Sequence, residues 1–362
     1  MRILKLEAIR GFVALYILIH HFILFTPLDQ VTPASVTLFF YFGREAVLVF
    51  FLLSGFVICL AMAKNKEMDF YTYFSKRFLR IYPILLVTFL ISAVVFYLNG
   101  YIFSYTDFKS LLANIFQLQR IQGEPPVNVP AFLGNLPLWS LGYEWWFYML
   151  FFPLYLLFRK YKKQLIIKDI YWMLGLSAIS WTGFLYSPSH FLLILNFFLL
   201  WWSGFYCAEI YLEKGNFSFH NLKPVLISLL VMSLVMGLPV VKAICFDHKT
   251  LAEVNADYPV TVYLYNFVEA FILLILGLIW WKFNLYKFNS LFGWFARFSP
   301  ISYALYVIHF PILLLNVPFI ENIYLLTLFK FIIIFIFSYF LEISFQPWVL
   351  RSYKSLSVRL HR

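Results

Sequence analysis

Apolar residues along this chain come in long runs, and the polar positions gather in short clusters between them. A membrane-spanning helix needs about 20 mostly apolar residues. Read with that requirement, the pattern predicts about ten spans, over residues 9–27, 36–62, 80–99, 138–158, 166–186, 191–212, 222–242, 259–281, 298–317 and 322–346. The expected fold is therefore all-α, a polytopic transmembrane helix bundle. An even number of crossings puts both termini on one side.

The basic residues say which side. Most of the 28 lysines and arginines fall on the side of the N-terminus, including the clusters Arg2–Lys5–Arg10, Lys76–Arg77–Arg80 and Arg159–Lys163. The opposite side holds only Arg44, Lys109, Arg120, Lys242 and Lys249, with Lys330 inside the last span. Cytoplasmic loops carry the excess of positive charge, so both termini are expected in the cytoplasm.

Composition agrees with this picture. The chain is 63% apolar and 12% charged with a mean hydropathy of +0.82, whereas a soluble globule carries about 25% charged residues. The net charge of +11 lies at the ends of apolar runs and comes with no nucleic-acid motif, so no nucleic-acid partner is expected. Cys59, Cys207 and Cys245 have no metal-ligand spacing and read as packing residues. Arg2 and Lys5 before an apolar run imitate a secretory signal. No small-residue cleavage site follows, and the run contains Arg10, His20 and His21, so it is expected to stay as the first span. Between spans, the segment 100–137 includes Gly-Glu-Pro-Pro at 123–126 and Pro130 and reads largely as turn and coil, with a short interfacial helix over Phe108–Leu118. One integral-membrane domain over 1–350 and a basic tail over 351–362 complete the expected organisation.

Arg10 and His21 are candidates for chemistry. They are eleven residues apart, hence nearly on one helix face and roughly 16 Å apart along the axis. Ionisable groups inside a span cost about 2.5 kcal/mol or more unless they face a bundle interior or a wet cavity. His21 is either a helix-helix hydrogen-bond partner or part of a site. Arg77 and Arg80 share a face three residues apart, either as a topological anchor or as two guanidinium forks converging on one anion. Ser54 and Gly55 are either a small pair at a helix crossing or a place where the second span approaches the first near a ligand. Glu144 lies about a turn into an apolar helix and needs a cationic or hydrogen-bonding partner, for which a histidine is suited. Glu209, Glu269, Lys330 and Glu342 read as structural pairs or pathway residues. His309 is either a packing histidine or a cavity residue. Glycine-rich nucleotide loops, zinc-binding motifs and a nucleophile elbow are absent, and no metal is expected.

Five stretches occur in order from Leu6 to His309: Leu-Glu-Ala-Ile-Arg-Gly followed by His21, Phe-Phe-Leu-Leu-Ser-Gly-Phe, Arg-Phe-Leu-Arg-Ile-Tyr-Pro, Leu-Trp-Ser-Leu-Gly-Tyr-Glu, and Ser-Tyr-Ala-Leu-Tyr-Val-Ile-His. Together they resemble the acyltransferase-3 family of integral-membrane acyltransferases. In that family the Arg-x10-His and Arg-x-x-Arg elements are required for acyl transfer, which implies roles for Arg10, His21, Arg77 and Arg80, and Glu144 matches the acidic position of the fourth-helix motif. The resemblance implies a bacterial inner-membrane enzyme with no tightly bound cofactor. It would take acyl-CoA, usually acetyl-CoA, as donor and a hydroxyl of a surface glycan or lipid-linked saccharide as acceptor.

On that footing Arg10, Arg77 and Arg80 are expected to hold the CoA phosphates. His21 is expected to act as general base, or as a transiently acylated nucleophile, with His20 the less favoured candidate. Glu144 is expected to orient the imidazole, and Ser54, Gly55 and His309 to line the substrate pocket. Two other readings of the same residues are a transporter or flippase for a glycan or other anion, and a scaffold whose polar groups specify helix pairing.

Overall fold

A computed structural model describes residues 4–65, 67–119, 129–161, 167–256 and 259–360. Arg2, Lys66, Arg120, Lys162, Lys163 and Arg362, together with the 123–126 stretch, lie outside the described residues. Every described element is helical or irregular. In chain order the helices are α1 (Leu4–Phe25), α2 (Ala34–Phe39), α3 (Gly43–Lys64), α4 (Phe70–Leu98), α5 (Tyr105–Ile115), α6 (Leu138–Tyr161), α7 (Asp169–Tyr186), α8 (His190–Lys214), α9 (Phe219–Cys245) and α10 (Leu251–Val254). They continue with α11 (Val260–Lys282), α12 (Phe288–Phe292), α13 (Ser302–Leu313), α14 (Ile323–Tyr339) and α15 (Gln346–Leu360).

Each expected span coincides with a helix, and 7 helical segments are long and apolar enough to cross a membrane. The other three fall short for visible reasons. Tryptophans, tyrosines and Glu144 dilute α6, Asp169 with serines, glycines, tyrosines and tryptophans dilutes the 18 residues of α7, and α13 has only 12 residues. Several boundaries differ from expectation, and local chemistry accounts for them. α4 begins ten residues earlier than its apolar run, because the Asp69 side chain caps it by accepting from Thr72 N at 2.6 Å. Arg77 and Arg80 thus sit two turns inside a helix. The second expected span is broken before Gly43 into α2 and α3. The interfacial helix starts at Tyr105, set by the Ser104–Asp107 capping box. A π-helical turn over Phe340–Phe345 joins α14 to α15, which runs through the expected domain boundary at 350. Of the cysteines, Cys59 and Cys207 are buried and Cys245 is exposed at the end of α9.

α8 is buried along most of its length and packs against α3, α7, α6 and α9. α1 lies against α3 and α13, and α13 in turn against α4 and α14. The α3–α8 crossing is built by two glycines. A Cβ on Gly55 would stand 2.1 Å from the Trp201 carbonyl oxygen, and one on Gly204 would stand 2.0 Å from that of Leu52. Only hydrogen fits on either side, which lets α3 and α8 approach backbone to backbone.

Candidate active site

α1, α3, α4, α6 and α13 enclose a cavity of about 260 Å³. Arg10, Arg77 and Arg80 all line it, so residues from two separate motifs come to one place. Their surroundings differ. Arg80 gives both prongs of its guanidinium to Glu342, at 2.5 and 2.9 Å, and lies 5.1 Å over the Tyr303 ring. Glu342 is 7% exposed and also accepts from the Ala304 backbone N–H at 3.2 Å. It sits in the π-helical turn, and turns of this kind collect at functional sites. Arg77 lies between the Tyr73 and Tyr148 rings, at 5.7 and 5.5 Å, with its Nε buried and without a hydrogen-bond partner. Arg10 makes no ion pair among the described residues. The cavity therefore presents Arg10 and Arg77 as the cations not already held by a carboxylate.

A directed hydrogen-bond chain forms one wall. Trp201 Nε1 donates to Ser54 Oγ at 3.1 Å, Ser54 Oγ lies 2.9 Å from the Tyr148 hydroxyl, and that hydroxyl donates to Glu144. An indole can only donate and a carboxylate only accept, so the protons all point from α8 toward α6. The chain places three of the candidate residues. Glu144 is engaged by Tyr148, one turn along its own helix, and makes no contact with His21 among the described residues. Ser54 lines the cavity, but its proton is directed to Tyr148. Gly55 is absent from the cavity lining; it faces α8, not α1, where the close crossing uses it.

His21 is instead partnered by His309. The His309 Nε2 and His21 Nδ1 atoms are 2.9 Å apart, and His309 Nδ1 is 3.0 Å from the Leu305 carbonyl. The carbonyl only accepts, which puts the His309 proton on Nδ1. His309 Nε2 then accepts from Nδ1–H of His21, and the neutral His21 ring is left with a bare lone pair on Nε2. His309 is fully buried and His21 half-buried. The adjacent His20 points elsewhere, with its Nδ1 2.6 Å from the Phe40 carbonyl.

Neither histidine is part of the cavity lining, but Tyr306 is, and its ring lies 6.1 Å from the His309 ring. The Tyr306 hydroxyl donates to the Pro137 carbonyl at 2.9 Å and is 2.7 Å from Ser140 Oγ. Sequence reasoning missed Tyr148, Tyr303 and Tyr306, whose ring types are common throughout the chain. The role of Glu342 was signalled only by its presence in an apolar run.

The acyltransferase domain family model matches residues 3–345 of the chain. Among curated proteins, acyltransferase MdmB of Streptomyces mycarofaciens is 38% identical over 126 residues, covering 33% of this chain and 30% of that protein. The chain thus aligns with under a third of that relative's length. No solved structure matches.

Proposed function

The chain belongs to the acyltransferase-3 family, and from that premise we propose that it moves an acyl group, most simply acetyl, from acyl-CoA to a hydroxyl of a cell-surface or lipid-linked glycan. The single observation that carries the reading is the His21–His309 pair at 2.9 Å. It fixes the tautomer that a general base needs. In the proposed step, His21 Nε2 takes the proton of the acceptor hydroxyl as its oxygen attacks the thioester carbonyl. The C–S bond then breaks, and the CoA sulfur leaves with the proton returned by His21.

His309 takes the orienting role that sequence reasoning gave to Glu144, as the third member of a triad does for its base. Arg10 and Arg77 supply cations for the CoA phosphates, and Glu342 holds Arg80 beside them. Donor and acceptor approach from opposite ends of α1, with the acyl end of the donor arriving at Tyr306. The topology that goes with this reading has about ten spans with both termini in the cytoplasm, following the distribution of basic residues, and the family resemblance adds a bacterial inner-membrane location.

The test is transfer of label from acetyl-CoA in membranes containing the host's surface glycans, at matched protein levels. His21→Ala is expected to lower transfer by about 10²-fold or more, and Arg77→Ala/Arg80→Ala to raise the acetyl-CoA concentration needed for half-maximal rate. Full transfer by His21→Ala overturns the general-base role. A wild type that moves no label onto a competent glycan pool, yet carries glycan across the bilayer, is a transporter.

A further inference from the structure

Lys330 is a lysine in the apolar helix α14, 7% exposed, and its Nζ donates to the Leu313 carbonyl at 2.7 Å. Leu313 is the last residue of α13, so this bond satisfies one of the orphan carbonyls at a helix end. Capping uses one of the three donors of an ammonium. The others border a second cavity, of about 230 Å³, whose walls include Phe22, Phe25, Leu313, Thr327 and Glu321. Charged groups inside a span mark a ligand site unless they are fully consumed by partners.

The position of this cavity connects it to the histidine pair. Phe22 follows His21 in the chain, the Phe25 ring is 5.6 Å from the His21 ring, and Leu313 is one turn beyond His309. The cavity therefore lies at the end of α1 opposite Arg10. Its chemistry narrows the ligand. Lys330 only donates and Glu321 only accepts, and the two do not pair with each other among the described residues. An anionic ligand group would meet Glu321, and an amine would meet Lys330. A group satisfying both must donate and accept, as a hydroxyl does, and the phenylalanine and leucine walls suit the C–H face of a ring.

We infer that this cavity is the acceptor subsite and that it holds one neutral sugar ring, with Lys330 donating to a ring hydroxyl, Glu321 accepting from another and Phe25 against the apolar face. The inference rests on the acyl-transfer reading for its place in the reaction, but sugar binding can be measured without transfer.

The experiment uses the full chain in nanodiscs, with Cys245→Ser removing the exposed thiol and Thr327→Cys placing one in the cavity. Methyl α-D-glucopyranoside, methyl α-D-mannopyranoside and methyl α-L-rhamnopyranoside are expected to slow modification of Cys at 327 by a maleimide, and Lys330→Met to abolish the protection. If none of these neutral glycosides slows modification, or only methyl α-D-glucuronide does, the neutral-sugar assignment is wrong. In the transfer assay, Lys330→Met is expected to raise the half-saturating glycan concentration about tenfold, the cost of a lost charged hydrogen bond, with that of acetyl-CoA unchanged. An unchanged glycan requirement in Lys330→Met overturns the inference. Glu321→Gln, at the exposed rim, repeats the measurement if Lys330→Met does not fold. Protection without any transfer leaves the sugar site standing and removes the acyl-transfer reading; transfer without protection does the reverse.

Discussion

His309 Nε2 stands 2.9 Å from His21 Nδ1, joining two helices that lie 288 residues apart in the chain at this point. Because His309 is itself fixed by the Leu305 carbonyl, the bond sets both the rotamer and the proton position of His21. His309→Ala removes the acceptor and leaves His21 free to rotate and to exchange tautomers. Transfer is expected to fall by about 10²-fold, with His309→Gln, which retains a carbonyl acceptor, falling less. Equal rates for wild type and His309→Ala would show that His21 does not depend on this partner.

Glu342 is the only acidic partner of Arg80 among the described ion pairs. Its carboxylate side chain is 3% exposed while the Arg80 side chain is 41% exposed, so one half of the pair is screened by solvent. Glu342→Ala is expected to cost about 2 kcal/mol, less than the about 3–5 kcal/mol of a fully buried pair because solvent screens the Arg80 end. Glu342→Gln, which keeps a hydrogen-bonding oxygen for Arg80 and Ala304, costs less. Thermal unfolding in detergent measures the order; equal melting of Glu342→Ala and wild type would mean the pair contributes nothing to the fold.

At the α3–α8 crossing, Gly204→Ala places a methyl group 2.0 Å from the Leu52 carbonyl oxygen. Backbone cannot yield as a flexible side chain does. A loss of about 1–3 kcal/mol or more is expected, and Gly55→Ala should act alike. By contrast, a Cβ on Gly175 or Gly237 meets nothing within 4 Å, and alanine there should melt as wild type does. A comparison of the four melting curves checks the contrast.

Cys245 gives a native probe of topology. It is exposed, whereas Cys59 and Cys207 are buried. On the proposed topology, with both termini cytoplasmic, the C-terminal end of α9 faces outward, and Cys245 should react with a membrane-impermeant maleimide in intact spheroplasts. Reaction in inverted vesicles alone would reverse the orientation.

The helical class, the approximate place of each apolar helix and the family of this chain are all properties of the sequence alone. Long apolar runs leave the backbone no hydrogen-bond partners but its own, so they must become helices wherever they meet lipid. The Arg-x10-His and Arg-x-x-Arg spacings likewise put Arg10 and His21, or Arg77 and Arg80, on common helix faces, because spacing within one helix is fixed by its pitch. What partners those faces was decided only in three dimensions. Glu144 turned to Tyr148, one turn away, while His21 was met by His309 and Arg80 by Glu342, from helices remote in the chain. Local spacing encodes which side chains share a face, but which face meets which depends on helix crossings such as the one Gly55 and Gly204 allow. Those crossings are properties of two helices together, and neither helix carries them by itself.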